Sequence, residues 1–391
     1  MLKIKLTPIK ALLFTCSLII NQTIYSGMKI GEPTSSLGQL NVGGAIRGKY
    51  VYDHDANPSS SKFSFSDVIL ALNYESATLI GGLDYRLYEY YGHIGDANWL
   101  TDAWLGYKIN PNHKIIAGLN PVPFGLDRYW GNTFFLGIAN VMGLEDIHNI
   151  GINYQFKTDK NQLSLAFYPI DGGNFRGHSK DARRFSINMV NADDYVENGT
   201  NTQEKNMIIA RYAYSSNYAD LNYQLGTSVW YSDIENKNYS STGSRQVWSI
   251  FADFNYQSWN SKLLFGHQDI DHKDRLSPDH ISLGGFDYSY NSATQGDFFS
   301  TEFSYLFPYS FEYVQSIRPY LNISGYINKK NSSTDSYRVI PGVAFKFKDL
   351  TIQAEHLIGK YDPYLGDQNG LAQGTNNNWN QKTYISLAYY F

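Results

Sequence analysis

Residues 384–391 read YISLAYYF, and this alternation decides how the rest of the chain is interpreted. In an extended strand, Ile385, Leu387, Tyr389 and Phe391 would share one face, and the residues between them would share the other. An apolar face backed by a mixed face suits a strand that touches lipid on one side and lines a wet interior on the other. The segment therefore predicts a membrane-spanning strand.

The same period of two recurs along the chain, and the connections between the segments alternate between short and long. An antiparallel barrel with both termini at one end requires this alternation. The sequence therefore predicts an all-β fold: a transmembrane, antiparallel, up-and-down β-barrel of 16 strands, with short periplasmic turns and long extracellular loops. The predicted strands lie at residues 38–52, 63–75, 77–91, 98–109, 114–120, 149–157, 162–170, 206–215, 220–232, 246–257, 262–269, 298–307, 317–327, 336–348, 350–359 and 381–391.

The composition supports a β-rich membrane protein. Among 391 residues there are 33 Tyr, 22 Phe and 7 Trp, and only 17% of residues are charged. Aromatic residues near strand ends, such as Trp99 and Tyr107, suit the girdles at a membrane interface. The net charge of -4 excludes the strongly basic profile of nucleic-acid binders. The only cysteine is Cys16, so the sequence predicts no disulfide, and no cofactor is predicted.

The first residues resemble an export signal. Lys3, Lys5 and Lys10 precede or flank an apolar stretch at residues 11–20 that is too short to cross a bilayer as a helix. We therefore expect a signal peptide at residues 1–26 and an outer-membrane barrel at residues 27–391, in a Gram-negative bacterium.

One short motif adds a family resemblance. The strand at residues 114–120 runs into Pro123, Phe124, Gly125 and Leu126, and this turn resembles that of the phosphate-selective porin O and P family. In architecture the chain resembles the general 16-stranded trimeric porins. The resemblance implies a homotrimer whose third long loop, residues 121–148, folds into the lumen as a constriction. It also implies that Phe391 is the assembly signal presented to the barrel assembly machinery.

Charged residues on the predicted inward faces and in this loop are the candidate constriction. We expect Arg47 and Arg86 to face the loop acids and create a transverse field, although charges that are simply solvated in the lumen remain an alternative. Since Arg128 is the only Arg or Lys in the loop, strong phosphate selectivity is not expected. The full candidate set is Arg47, Lys49, Asp84, Arg86, Asp127, Arg128, Glu145 and Asp146.

These features predict a water-filled channel for passive diffusion of small polar or charged solutes, including inorganic ions, with a weak anion preference. The expected surroundings are outer-membrane lipid and lipopolysaccharide. One alternative is an adhesin or receptor built from the loops at residues 171–205 and 270–297. Another is a barrel hydrolase, but no serine lies in a GxSxG motif, and no enzyme activity is predicted.

A group of histidines and aspartates in the second half is a candidate for metal binding. Carboxylates and imidazoles bind divalent cations, but the spacing matches no closed site. A solvated loop is therefore favoured, and no metal site is predicted. The group comprises His267, Asp269, Asp271, His272, Asp274 and His280.

Overall fold

A computed structural model describes residues 27–56, 58–191, 199–307, 313–331 and 333–391. The predicted signal peptide lies outside these residues. The strands in chain order are β1 (Met28–Gly31), β2 (Gln39–Asp53), β3 (Ser60–Glu75), β4 (Leu79–Tyr88), β5 (Ala97–Asn110), β6 (His113–Pro121), β7 (His148–Lys157), β8 (Asn161–Asp171), β9 (Asn188–Met189), β10 (Thr202–Tyr218), β11 (Leu221–Asn236), β12 (Ser241–Tyr256), β13 (Trp259–Asp271), β14 (His280–Gly285), β15 (Tyr288–Ala293), β16 (Gln295–Tyr305), β17 (Ser316–Ile327), β18 (Ser336–Lys346), β19 (Leu350–Lys360) and β20 (Trp379–Tyr390).

Sixteen of these strands form a closed antiparallel barrel, as the sequence predicted. Each wall strand pairs with the next along the chain, and the last, β20, returns to β2 with Tyr390 opposite Ala45. The backbone of Phe391 exchanges two hydrogen bonds with Gly44. Just beyond that point β1 adds to β2, with Met28 opposite Val42. At four residues, β1 was too short for the periodicity to identify.

The alternation of exposed and buried side chains follows the predicted faces. On β20, the outward-facing Leu387 and Tyr389 are 41% and 49% exposed, whereas the adjacent, inward-facing Ser386 is 3% exposed. Tyr107 lies on the outer surface as expected, but Trp99 is wholly buried inside. The assignment of Trp99 to the interface girdle was therefore wrong. The register of β5 skips Thr101 opposite Asp84 and Tyr85, and this β-bulge brings Trp99 to the same inner face as Asp102.

Helical structure in the described residues is limited to α1 (Ile138–Val141) and a 3₁₀ turn, Pro363–Leu365. Within these parts of the chain, neither helix has the length and apolar character needed to cross a membrane.

The interior of the barrel contains a second layer of chain. Residues 122–147, here called the inner loop, leave β6 and fold into the lumen. The long loops predicted at residues 171–205 and 270–297 contain β9, β14 and β15, which form a separate three-stranded sheet. Apart from the half-buried His280 and Tyr288, the residues of this sheet are buried, which does not favour an adhesive surface there.

The inner loop and the small sheet share one apolar core with the barrel wall. Ile138 and Met142 of the inner loop and Leu283 of β14 belong to the same buried cluster as Trp230 and Phe298 of the wall. The wall residues of β10 to β16 therefore bury apolar side chains on the inner face instead of exposing them to water. This packing fills one side of the lumen and leaves the charged residues of β2 to β5 on the other.

Candidate pore constriction

The near end of the inner loop is attached to the wall through the motif that resembles the phosphate-selective porins. Arg211 on β10 donates to the carbonyl oxygens of Gly125, at 2.7 Å, and Leu126. The amide of Gly125 donates to Ser228 Oγ on β11 at 3.0 Å. Gly125 has a φ of +72°, and a Cβ there would lie 2.5 Å from the Trp130 ring, so the turn requires glycine. Pro123 and Phe124 precede this turn, and the Phe124 ring is buried in the shared core.

The far end of the inner loop is attached to the opposite wall. Arg338 on β18 donates from Nη1 to the carbonyl oxygens of residues 135, 136 and 137, each at 3.2 Å. Its other nitrogens form a bidentate pair with Asp362, with both bonds at 2.6 Å. The amide of Phe134 donates to Glu355 on β19 at 2.6 Å. The loop is therefore fastened on both sides of the lumen.

Two further wall charges, Glu302 and Arg318, bind the middle of the inner loop. Glu302 accepts from the backbone amide of Asn132 at 2.8 Å, and Arg318 donates to the Asn132 side chain at 2.7 Å. The wall residues that point inward and contact the inner loop are therefore Arg211, Glu302, Arg318, Arg338 and Glu355. They hold the loop in place, a role that strand alternation alone does not predict.

Glu145 fastens the inner loop to itself. Its carboxylate accepts from the backbone amides of Trp130, at 2.7 Å, and Gly137, at 3.3 Å. The side chain is buried, and this burial raises its pKa to about 7 despite the two hydrogen bonds. Glu145 therefore contacts the loop backbone and is not paired with Arg47 or Arg86.

Arg128 and Asp146 meet in a buried ionic cluster at the base of the inner loop. Arg128 donates from Nε to Asp146 at 2.6 Å and from Nη1 to Asp102 on β5 at 3.2 Å. His148 lies between the same carboxylates, 2.9 Å from Asp102 and 3.0 Å from Asp146. Burial opposes ionisation of Asp146, but Arg128 and His148 hold its pKa well below the usual range.

The wall cations that we expected to face the loop acids have partners on their own wall. Arg47 pairs with Asp67 of β3 at 2.7 Å. Arg86 forms a bidentate pair with Asp84, with bonds of 2.9 and 3.0 Å. The fixed charges of Arg47 and Arg86 are thus paired side by side along β2 to β4, and the transverse field across the lumen stays a prediction.

Asp67 was not among the candidates because a β-bulge conceals its direction. Arg47 of β2 is aligned with Asp67 of β3, and the next residue, Gly48, is aligned with Phe65. Ser66 is left without a partner on β2. The bulge reverses the alternation, and the Asp67 side chain becomes buried beside Arg47. The alternation of residue types along the sequence does not show where such a β-bulge occurs.

Two candidates, Lys49 and Asp127, remain accessible. Lys49 Nζ lies 5.9 Å from the centre of the Tyr90 ring, and Lys49 forms no ion pair within the described residues. Asp127 is exposed on the inner loop, where its carboxylate accepts from the backbone amide of Arg128 at 2.9 Å. These two side chains are the candidate charges available to a passing solute.

The histidine and aspartate group does not assemble into a metal centre. Within the described residues no three such side chains lie close enough to hold an ion. His267 pairs with Asp297 at 2.7 Å, and Asp274 accepts from the amides of Leu276 and Ser277. The side chains of this group instead form local contacts within the loop and between neighbouring strands.

Comparison by sequence gives no relative: no family model matches, and no curated protein matches. Solved structures do match. The outer-membrane channel DcaP of Acinetobacter baumannii is 11% identical with a TM-score of 0.58, over 93% of this chain and 100% of that one. OmpF of Salmonella typhi, in complex with daunomycin, is 12% identical with a TM-score of 0.57, over 93% and 100%. An anion-selective porin from Comamonas acidovorans is 10% identical with a TM-score of 0.52, over 90% and 99%.

At such identities the likeness establishes the fold. Kinship with the phosphate-selective porin O and P family remains a prediction. The chain has the 16-stranded barrel architecture of the bacterial outer-membrane porins.

Proposed function

We propose that this protein is an outer-membrane channel for passive diffusion of small polar or charged solutes. The observation that supports the proposal is the position of the inner loop. Arg211 and Arg338 attach it to opposite walls, so it narrows the lumen from a fixed position. The apolar outer face suits contact with lipid, and the paired charges of β2 to β4 suit a wet passage. Solutes pass between that charged wall and the inner loop.

The selectivity we propose is a weak preference for anions. Arg47 and Arg86 are each neutralised by a neighbouring carboxylate, so they contribute little net field. Lys49 has no such neighbour in ion-pair contact within the described residues, and it supplies an uncompensated positive charge beside this wall. Asp127 on the inner loop offsets part of it, which keeps the preference weak.

The surroundings follow from the same proposal. The barrel lies in the bacterial outer membrane among lipid and lipopolysaccharide, and it assembles as a homotrimer like the porins that it resembles. Phe391 is the residue through which the barrel assembly machinery recognises the last strand. Its backbone already closes the barrel against Gly44, which leaves the ring available for that recognition.

Planar-bilayer recording of the purified protein tests both the channel and its selectivity. We expect stepwise conductance, and in asymmetric KCl a small reversal potential with the sign of anion preference. Lys49→Met should remove that potential, whereas the matched control Lys348→Met, in an exposed turn, should leave it unchanged. Absence of any conductance would refute the channel, and an unchanged potential in Lys49→Met would refute the assignment of Lys49.

A further inference from the structure

A cavity of about 360 Å³ opens between the long loops near the start of β20. It lies between the loop that carries β14 and β15 and the loop that follows β19. Its size falls within the range of small-molecule sites, about 300 to 1,000 Å³. Four aromatic rings and one cation are among its lining residues: Phe286, Tyr288, Tyr290, Tyr364 and Lys382. We call it the mouth cavity.

The aromatic rings of the mouth cavity are held in place by the inner loop and by each other. Tyr290 donates its hydroxyl to the carbonyl of Val141 at 2.7 Å, and Tyr364 donates its hydroxyl to Asn140 at 2.8 Å. The rings of Tyr288 and Tyr290 lie 6.0 Å apart. Because the hydroxyls of Tyr290 and Tyr364 bind protein, these residues offer the cavity ring surface. Fixed rings bind a ligand without losing side-chain entropy.

The polar edge of the mouth cavity is a neutral pair of opposite charges. Lys382 Nζ lies 3.2 Å from Asp53 Oδ2, and the two side chains are 29% and 28% exposed. An ammonium group only donates hydrogen bonds, and a carboxylate only accepts them. A hydroxyl group both donates and accepts, so adjacent hydroxyls on one molecule match both members of the pair.

From this combination we infer that the mouth cavity binds a neutral sugar and is the first binding site that a solute meets on entering the channel. Ring carbons of an equatorially substituted sugar present flat C–H faces that carry partial positive charge, and aromatic faces carry partial negative charge. An anionic solute would have to compete with Asp53 for Lys382, and a purely aromatic one would leave the Lys382 and Asp53 groups without new partners. This inference rests on the proposed channel only for the step of entry, since binding itself can be measured separately.

The test is block of the ion current by cellobiose, whose glucose rings carry their hydroxyls equatorially. Mannitol, an open-chain polyol, serves as the ligand control. We expect a saturable decrease in current with cellobiose and none with mannitol. Tyr288→Ala should raise the half-blocking concentration up to about tenfold, the factor that corresponds to one aromatic contact. Tyr288→Phe should retain the block, because the ring is kept.

Further variants separate binding from folding. Lys382→Met should weaken the block in the same direction, and Tyr231→Ala, on the outer face of β11, should not change it. Open channels that cellobiose does not block, or that benzoate blocks in its place, would overturn the sugar assignment. If the protein forms no channel, the proposed function fails on its own. Calorimetric titration of the detergent-solubilised protein with cellobiose then decides: measurable binding, weakened by Tyr288→Ala, supports the mouth cavity, and no binding overturns it.

Discussion

Replacing Arg338 by leucine should release the far end of the inner loop. The wild-type guanidinium donates to three loop carbonyls and to Asp362, and the side chains of Arg338 and Asp362 are both 0% exposed. Removing one member of a buried ion pair costs about 3 to 5 kcal/mol, because the other charge stays buried without compensation. Since about 1.4 kcal/mol is a factor of ten, a loss of about 4 kcal/mol shifts the docking equilibrium roughly a thousandfold if it acts on the loop alone.

Single-channel recording and chemical denaturation in detergent measure the two consequences. We expect Arg338→Leu to add current fluctuations as the loop leaves and rebinds, and to lower the denaturant midpoint. The double variant Arg338→Leu with Asp362→Leu removes the unpaired charge, so it should recover much of the stability. Its fluctuations should persist, because the carbonyls of residues 135–137 still lack their donor. Arg275→Leu, on an exposed loop, is the matched control.

Arg338 does not anchor the inner loop if Arg338→Leu conducts as quietly as the wild type and unfolds at the same denaturant concentration. The same conclusion follows if the double variant is both stable and quiet, since loop docking would then not depend on the hydrogen bonds from Arg338.

Three further predictions concern other parts of the barrel. Burial raises the pKa of Glu145 to about 7 from an ordinary 4.5, so its contribution to stability is complete below about pH 4.5 and is lost as the pH rises through 7. Thermal unfolding followed by circular dichroism should show greater resistance at pH 5 than at pH 8, by up to roughly 3 kcal/mol from this group; an equal pH dependence in Glu145→Gln would contradict this. Arg47→Met leaves Asp67 unpaired and should shift the reversal potential toward cations by a few-fold change in permeability ratio, whereas Arg47→Met with Asp67→Asn should return it close to the wild-type value. Phe391→Ala should lower the amount of heat-modifiable barrel in outer-membrane fractions several-fold while Phe391→Tyr keeps it, and equal yields of the two would remove Phe391 as the assembly signal.

The wall of the barrel was predictable because each strand repeats one simple pattern. Alternating exposure along residues such as 385–389 is a direct consequence of strand geometry, and it located all sixteen wall strands. The pattern breaks where the backbone is irregular. The bulge at Ser66 reverses the face of Asp67, so the partner of Arg47 was missed.

The interior was less predictable because its contacts join distant parts of the chain. The resemblance to the general porins implied that the third long loop enters the lumen, and it does. It did not indicate that Trp230 and Phe298 would face inward under a layer of loops, since an apolar residue on an inner face breaks the rule for a wet barrel. Likewise Glu145 resembles a pore acid in sequence, and only the path of the inner loop brings it to the amides of Trp130 and Gly137.

We propose that water and small solutes pass through this barrel. Liposome swelling with polar solutes of increasing size tests it most directly, using the unmodified protein reconstituted into phospholipid. We expect rapid swelling with the smallest solutes and a steep decline in the swelling rate as solute size increases. Swelling no faster than that of protein-free liposomes, for every solute, would contradict it.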